Sequence, residues 1–157
     1  MLISDFSESH TLLLDTHIWV WASGGADERK RFASWLAPVI ERAGYGRQLL
    51  VSAASVWEIA LKAQRGHLLV ASELRSWVED QKLYPGVRVS PITSGVAIES
   101  TQLPSWVPLR DGKEHKDPND RFLIATARLH AAVLITCDEL ILEYAASGHL
   151  MACDARP

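Results

Sequence analysis

The chain has 157 residues, of which 48% are hydrophobic and 22% are charged, and its formal net charge is −3. This length is enough for one buried core, and no apolar run approaches the roughly 20 residues that a membrane-spanning helix needs. The negative charge argues against a protein that coats nucleic acid, because such proteins usually carry a marked excess of basic residues.

The first ten residues lack the basic start, the apolar stretch and the cleavage site of a secretory signal peptide, so we expect a cytoplasmic protein. We expect residues 1–10 to be loosely held and residues 11–154 to form a single domain. The two cysteines, Cys137 and Cys153, are too few for a disulfide framework and lack the spacing of a zinc site.

Short apolar runs then alternate with helical patterns. The first run, Leu12 to Leu14, ends in an acid and is typical of a strand buried on both faces of a parallel sheet. A short helix is predicted over Thr16 to Ala22, and the pair Gly24-Gly25 breaks it. A second helix is predicted to begin near Asp27, and Pro38 is expected to kink or divide it.

The middle of the chain repeats this alternation. A strand is predicted over Leu49 to Ser52, followed by a helix over Ala53 to Gln64 that Gly66 ends. The helical period returns over Ser72 to Lys82, and a strand pattern follows over Val87 to Ile92.

The last third contains a long loop and three further elements. Thr93 or Ser94 caps a helix that ends before Pro104, and the stretch Ser105 to Lys116 has no clear period, which makes it the one loop long enough to suggest a function. Pro118 then begins a helix that runs to about Ala131. The remaining elements are a strand over Ala132 to Thr136, a helix over Glu139 to Ala146 and a strand over Leu150 to Cys153.

Strands that alternate with helices predict an α/β fold. We expect a three-layer α/β/α domain with a central, mostly parallel sheet of four to five strands, because right-handed crossovers place helices on both faces. In such sheets, ligands bind at the carboxyl ends of the strands.

Acidic residues lie at this predicted edge. Asp15 directly follows the first strand, Asp138 follows the strand that ends at Thr136, and Asp120 lies in the opening turn of the helix before that strand. Glu58 lies about a turn and a half into the helix after the second strand. The predicted topology therefore brings four acids toward one edge of the sheet.

Each acid also has an ordinary structural interpretation. Asp120 would stabilise the positive end of its helix by roughly 0.3–1 kcal/mol. Asp138 could be a turn residue, and Glu58 could pair with Lys62 at the i, i+4 spacing, which is worth about 0.2–0.5 kcal/mol. Asp15 is the hardest to explain in this way, because an acid after three buried leucines is unfavourable unless it is exposed or satisfied by a ligand.

Taken together, the four acids predict a metal site. Several carboxylates within a few ångströms repel one another, so a positive charge must hold them. Oxygen ligands favour hard ions, Mg²⁺ or Mn²⁺, and such an ion activates a water for attack on phosphorus. No Ser/His/Asp set, P-loop or dinucleotide-binding glycine pattern supports another chemistry.

Three stretches of the chain match a known family. They are LLLDTHIWVWA (Leu12 to Ala22), VSAASVWEIALKAQRGHL (Val51 to Leu68) and HKDPNDRFLIATARLHAAVLITCDELILEY (His115 to Tyr144). With these stretches the chain resembles the PIN-domain ribonucleases, and among them the VapC-type toxins of bacterial toxin-antitoxin pairs. The resemblance implies cleavage of single-stranded or loop RNA, a homodimer, and an antitoxin partner whose tail covers the site.

The resemblance also assigns roles to residues. It implies that Asp15, Glu58 and Asp120 are the core metal-binding acids and that Asp138 is a more variable fourth. Asp120 is chosen because it lies three residues before the Leu-Ile-Ala run that begins at Leu123. The supporting residues that the resemblance implies are Thr16, Asp117 and Thr136.

Basic residues near this edge are candidates for binding the phosphates of RNA. We favour the loop cluster of Lys113, His115 and Lys116, with Arg121 as a further candidate. For Arg121 an ion pair with Asp117 is at least as good an interpretation.

Two alternatives stay open from the sequence. Aspartyl-phosphate chemistry with Asp15 as the nucleophile requires a second acid two residues later, where this chain has His17. A PIN fold that binds RNA or a protein without cleaving it is the other alternative, although such members typically lose a core acid and this chain has lost none.

Overall fold

A computed structural model describes residues 5–7, 9–68, 73–80, 86–104 and 117–157. Its strands are β1 (Leu12–Leu14), β2 (Leu49–Ser52), β3 (Arg88–Ser90), β4 (Val133–Thr136) and β5 (Ala152–Asp154). Its α-helices are α1 (Thr16–Ser23), α2 (Leu36–Tyr45), α3 (Ala53–Gln64), α4 (Leu74–Asp80), α5 (Ser94–Thr101), α6 (Pro118–Leu129) and α7 (Glu139–Ala146).

The strands form one parallel sheet in the order β3-β2-β1-β4-β5. The first strand lies at its centre, where Leu13 is paired with Leu50 of β2 on one side and with Leu134 of β4 on the other. After β1, the chain adds β2 and then β3 on one side of it. The chain then crosses back and adds β4 and β5 on the other side of β1. The crevice between the carboxyl ends of β1 and β4 is thus the switch point at which open parallel sheets bind ligands.

Helices cover both faces of this sheet, which confirms the predicted three-layer architecture. Leu12 and Leu14 of β1 face one apolar cluster, to which α1 and α2 contribute Ile18 and Ile40. Leu13 faces the opposite cluster, which contains side chains of α5, α6 and α7. Because both faces of the central strand are buried, its sequence is continuously apolar instead of alternating.

Most predicted elements match the observed ones within about two residues, the usual uncertainty of such boundaries. The predicted second helix is divided, as expected, but the division lies before Pro38 and not at it. A short 3-10 helix (Glu28–Arg31) precedes α2, and Pro38 lies in the first turn of α2. Proline is tolerated there because the first backbone N–H groups of a helix have no partner within it.

Two predicted regions lie partly or wholly outside the described residues. These are the ends of the predicted helix over Ser72 to Lys82 and the whole loop Ser105 to Lys116. Near the N-terminus, Phe6 packs against Trp35 with a ring separation of 5.9 Å. The predicted loose N-terminus and the domain boundary at residue 11 stay predictions.

None of the helices within the described ranges combines the length and the apolar character that crossing a bilayer requires.

Candidate active site

Asp15 occupies the switch point between β1 and β4. It directly follows β1 and takes the N-cap position of α1, yet its side chain makes no capping hydrogen bond. Its Oδ2 accepts a hydrogen bond of 2.6 Å from the Thr136 hydroxyl at the end of β4. Only 7% of Asp15 is exposed. The structure therefore places a buried carboxylate at the ligand-binding crevice without using it to cap the helix.

The surroundings of Asp15 disfavour its charged form. Burial raises the pKa of Asp15, and the negative charge of Asp138 adds to this rise. The hydrogen bond from Thr136, the charge of His17 and the backbone N–H of Thr16 act in the opposite direction without cancelling it. Among the described residues, no lysine or arginine forms an ion pair with Asp15. A cation bound here would stabilise the charged form of Asp15 and so offset the effect of burial on its pKa.

Thr136 connects two of the predicted site acids. Its hydroxyl donates to Asp15 and accepts a hydrogen bond of 3.0 Å from the backbone N–H of Asp138. Asp138 is the N-cap of α7, and its Oδ1 accepts from the N–H groups of Leu140 and Ile141 at 2.9 and 3.0 Å. One oxygen of Asp138 thus has a capping role, as its turn interpretation predicted.

Glu58 lies on α3 and is held by Lys62. The ion pair between Glu58 Oε1 and Lys62 Nζ measures 2.6 Å, and 21% of the Glu58 side chain is exposed. Partial burial raises the pKa of Glu58, but hydrogen bonds with Lys62 and Thr16 and the charge of Lys62 outweigh this, so its pKa lies below its usual value. The predicted i, i+4 ion pair therefore forms, and Glu58 is stable as a carboxylate without a metal ion.

Thr16 links Glu58 to Asp15. Its backbone N–H is hydrogen-bonded to the Asp15 carboxylate, and its side-chain hydroxyl interacts with the Glu58 carboxylate. The same hydroxyl is hydrogen-bonded to the Ser55 hydroxyl at 2.9 Å, and both hydroxyls are buried. Asp15 and Glu58 therefore lie on the same side of the molecule, on either side of Thr16.

Asp117 and Asp120 begin α6. Asp117 is the exposed N-cap and accepts a hydrogen bond of 2.9 Å from the N–H of Asn119. Asp120 is half-buried in the first turn, and α6 packs against α3 and β4. Because α6 runs back along the sheet to the beginning of β4, its first turn lies toward the carboxyl end of that strand.

The predicted RNA-binding residues are only partly described. Lys113, His115 and Lys116 lie outside the described residues. Arg121 donates from Nη1 to the Ser100 carbonyl at 3.0 Å, which anchors α6 to the end of α5. Its proposed contact with RNA stays a prediction.

The donor chemistry of the site fits a hard divalent cation, because the candidate ligands are carboxylates. Burial and neighbouring charges raise the pKa of Cys137 to about 11 and that of Cys153 to about 12, so both thiols are neutral in the metal-free protein. Among the described residues, no group of three or more His, Cys, Asp or Glu is placed to hold a metal ion.

Sequence reasoning missed two neighbours of the site. Ser55 lies three residues before Glu58, on the same face of α3, and this i, i+3 spacing could have indicated it. The other is His17, whose Nε2 lies 3.4 Å from Lys62 Nζ. The sequence pattern around His17 bears only on aspartyl-phosphate chemistry, which requires an acid at that position.

The family model described as PIN domain matches residues 12–146. A similar solved structure is FitAB bound to an IR36 DNA fragment, with 23% identity, a TM-score of 0.57, and coverage of 90% of this chain and 92% of that chain. FitAcB from Neisseria gonorrhoeae has 24% identity and a TM-score of 0.58 over 91% of this chain and 96% of that one. DNA-bound VapBC from Salmonella typhimurium has 15% identity and a TM-score of 0.57 over 92% and 98% of the two chains. No curated protein matches the chain.

Proposed function

The chain belongs to the PIN domain family, and we propose that it is an endoribonuclease that depends on Mg²⁺ or Mn²⁺ and acts as the toxin of a toxin-antitoxin pair. The observation that carries this proposal is Asp15, a buried carboxylate at the β1–β4 crevice that neither caps its helix nor pairs with a described lysine or arginine. A buried charge without such a partner is unfavourable unless a ligand satisfies it.

The proposed ligands are Asp15, Glu58, Asp120 and Asp138. When bound, a divalent cation supplies an activated water and neutralises the charge that develops on the phosphate. Thr136 holds Asp15 at the crevice and also fixes the backbone of Asp138. Burial around Asp15 lowers the local dielectric constant and so strengthens its attraction for a cation.

Replacing Asp15 with Asn tests the proposal. This variant keeps the size of the side chain and an acceptor for Thr136 but removes the charge, so we expect RNA cleavage in Mg²⁺ or Mn²⁺ to fall by at least about 100-fold. The matched control is Glu41→Gln, which removes an exposed carboxylate on α2 and should cleave at the wild-type rate. Wild-type cleavage by Asp15→Asn, or undiminished cleavage of RNA by the wild type in EDTA, would contradict the proposal.

A second candidate function is an RNA- or protein-binding module without nuclease activity. The observation in its favour is that no three acids of the described residues are placed to share a metal ion. Calorimetric titration with Mn²⁺ distinguishes the two. A nuclease should bind the ion stoichiometrically and lose this binding in Asp15→Asn, whereas a silent module should show no stoichiometric binding.

The antitoxin partner and the homodimer belong to the same proposal. Two of the similar structures, FitAB and VapBC, are DNA-bound, and the VapC-type resemblance supports a DNA-binding antitoxin for this chain. Co-expression with the product of a small neighbouring reading frame, followed by size-exclusion chromatography with light scattering, measures both assemblies. A chain that stays monomeric and retains no partner under these conditions would contradict this part of the proposal.

A further inference from the structure

Planar and cationic side chains follow one another along the outside of α1. Lys62 Nζ lies 3.4 Å from His17 Nε2, the His17 ring lies 5.8 Å from the ring of Trp21, and the Arg31 guanidinium lies over Trp21 at 5.9 Å. We call these four residues, Lys62, His17, Trp21 and Arg31, the α1 strip. It connects three elements, namely α3, α1 and the 3-10 helix, into one continuous surface.

The strip begins at the candidate active site. Lys62 is the ion-pair partner of Glu58, and His17 follows Asp15 by two residues. The strip then leads away from the crevice along α1 to Arg31. A linear ligand whose reacting group lies at Asp15 would therefore be supported over several of its units by the strip.

The strip remains accessible to a ligand. His17 and Arg31 are exposed, Trp21 and Lys62 are partly exposed, and 36% of the Lys62 side chain is accessible. The 3-10 helix that ends the strip has the sequence Glu-Arg-Lys-Arg, and its Lys30 is paired with Asp27 at 2.9 Å. Residues 27–31 contain three basic and two acidic side chains, so this segment carries a small positive charge in a chain whose net charge is −3.

These features match the requirements for binding a single strand. Unpaired bases stack on Trp and His rings and on the guanidinium plane of Arg, whereas a duplex hides its bases from such contacts. The phosphates between the bases need cations. Arg31 supplies one at the outer end of the strip, and Lys62, which is also the ion-pair partner of Glu58, lies at the inner end. We infer that the α1 strip is the surface on which single-stranded RNA lies next to the active site. The inference rests on the proposed function for the identity of its ligand.

Binding of a short fluorescein-labelled single-stranded RNA, measured by anisotropy with the full chain in EDTA, tests the inference without cleavage. We expect Trp21→Leu to weaken binding at least about fivefold, because a stacking surface is lost. Arg31→Gln should weaken binding about two- to fivefold and lower the salt dependence by about 0.7 in slope, the value for one phosphate contact on a single strand. A duplex of the same sequence should bind more weakly than the single strand and should not distinguish Trp21→Leu from the wild type, because its bases are not free to stack on the ring.

Matched controls lie at the opposite end of the sheet. Tyr45 and Arg42 line a cavity with Leu12 and Gln48, at the amino ends of β1 and β2. Tyr45→Leu and Arg42→Gln remove an exposed aromatic ring and an exposed cation there, and should bind RNA like the wild type. Because Trp21 also packs against the core, Trp21→Phe and thermal unfolding separate lost stacking from lost folding. Trp21→Phe should retain most of the affinity.

The outcomes separate the strip from the proposed function. If Arg31→Gln and folded Trp21→Leu bind single-stranded RNA like the wild type, or if the controls lose as much affinity, the strip is not the RNA surface. Unchanged RNA binding combined with lost binding of a protein partner would also overturn it and assign the strip to that partner. If Asp15→Asn cleaves RNA normally while the strip variants lose affinity, the proposed metal site fails and the strip stands.

Discussion

Asp15 and Glu58 are carboxylates at the same edge of one sheet, and their surroundings shift their pKa values in opposite directions. Asp15 is buried without a described lysine or arginine partner, and its pKa is raised. Glu58 is half-buried beside Lys62, and its pKa is lowered. The difference shows that an acid's place in the topology does not set the pKa of its carboxyl group. Packing and the nearest cation set it.

This comparison suggests a division of roles between the two acids. The region of Asp15 is unfavourable in the absence of a cation and would gain most from binding one. The region of Glu58 already contains its own cation and is electrostatically balanced. Each prediction below tests one side of this contrast, beginning with the largest expected effect on stability.

The hydrogen bond from Thr136 stabilises the charged form of Asp15. Thr136→Val leaves a buried carboxylate oxygen without its donor and the N–H of Asp138 without its acceptor, so we expect a loss of roughly 1–3 kcal/mol in the free energy of unfolding. Chemical denaturation measures it. Thr136→Ser should restore most of the loss. Thr126→Val is the matched control, because this buried threonine only donates to the Phe122 carbonyl of its own helix. If Thr126→Val loses as much free energy of unfolding as Thr136→Val, the hydrogen bonds of Thr136 have no special role in stability.

The burial of Asp15 predicts that its charge destabilises the metal-free protein. Asp15→Asn should therefore raise the free energy of unfolding at neutral pH, by roughly 0.5–2 kcal/mol, or about 2–4 °C in Tm for each kcal/mol. The raised pKa of Asp15 sets the pH dependence. In the wild type, the stabilising contribution of protonated Asp15 is fully present below the pKa that this group has in the unfolded chain. It is lost as pH rises through the pKa that Asp15 has in the folded protein. The advantage of Asp15→Asn should thus grow with pH.

Glu58→Gln is the matched control for this experiment. It also exchanges a carboxylate for an amide at the same edge, but it removes an ion-paired group and should give no gain in stability. A gain as large as that of Asp15→Asn, or one that does not depend on pH, would contradict the contrast between the two acids.

The smallest effect is expected at Lys62. Because its ion pair with Glu58 is partly exposed to solvent, Lys62→Met should change stability by no more than about 0.5 kcal/mol near neutral pH. Because the pKa of Glu58 is lowered in the folded protein, ionised Glu58 stabilises the fold above the pKa that this group has in the unfolded chain. This stability is lost as pH falls through the pKa of Glu58 in the folded protein. NMR titration of Glu58 in Lys62→Met should show its pKa moving upward. An unchanged Glu58 pKa would mean that Lys62 is not its main partner.

The fold could be predicted from the sequence because its information is local. The continuous apolar run of β1 indicates burial on both faces, and the alternation of strands and helices leaves few topologies. Pro118 and Thr93 mark helix beginnings that the structure confirms. The ion pair of Glu58 with Lys62 follows from the helical period alone. The sequence predicts that the second helix is divided near Pro38, but not that Pro38 lies in the first turn of the new helix, because proline in a first turn and proline at a kink have similar sequence patterns.

The site depends on contacts that no local pattern contains. Asp15 and Thr136 are 121 residues apart, His17 and Lys62 are 45 apart, and Thr16 and Ser55 are 39 apart. The sequence alone determined which acids follow strands and helix beginnings, and through the family likeness it proposed their roles, which stay predictions. Only the tertiary structure decided that Asp15 is buried against Thr136 while Glu58 is paired with Lys62. Charge state depends on burial and on neighbours brought together by strand register and helix packing, and these are properties of the whole folded chain.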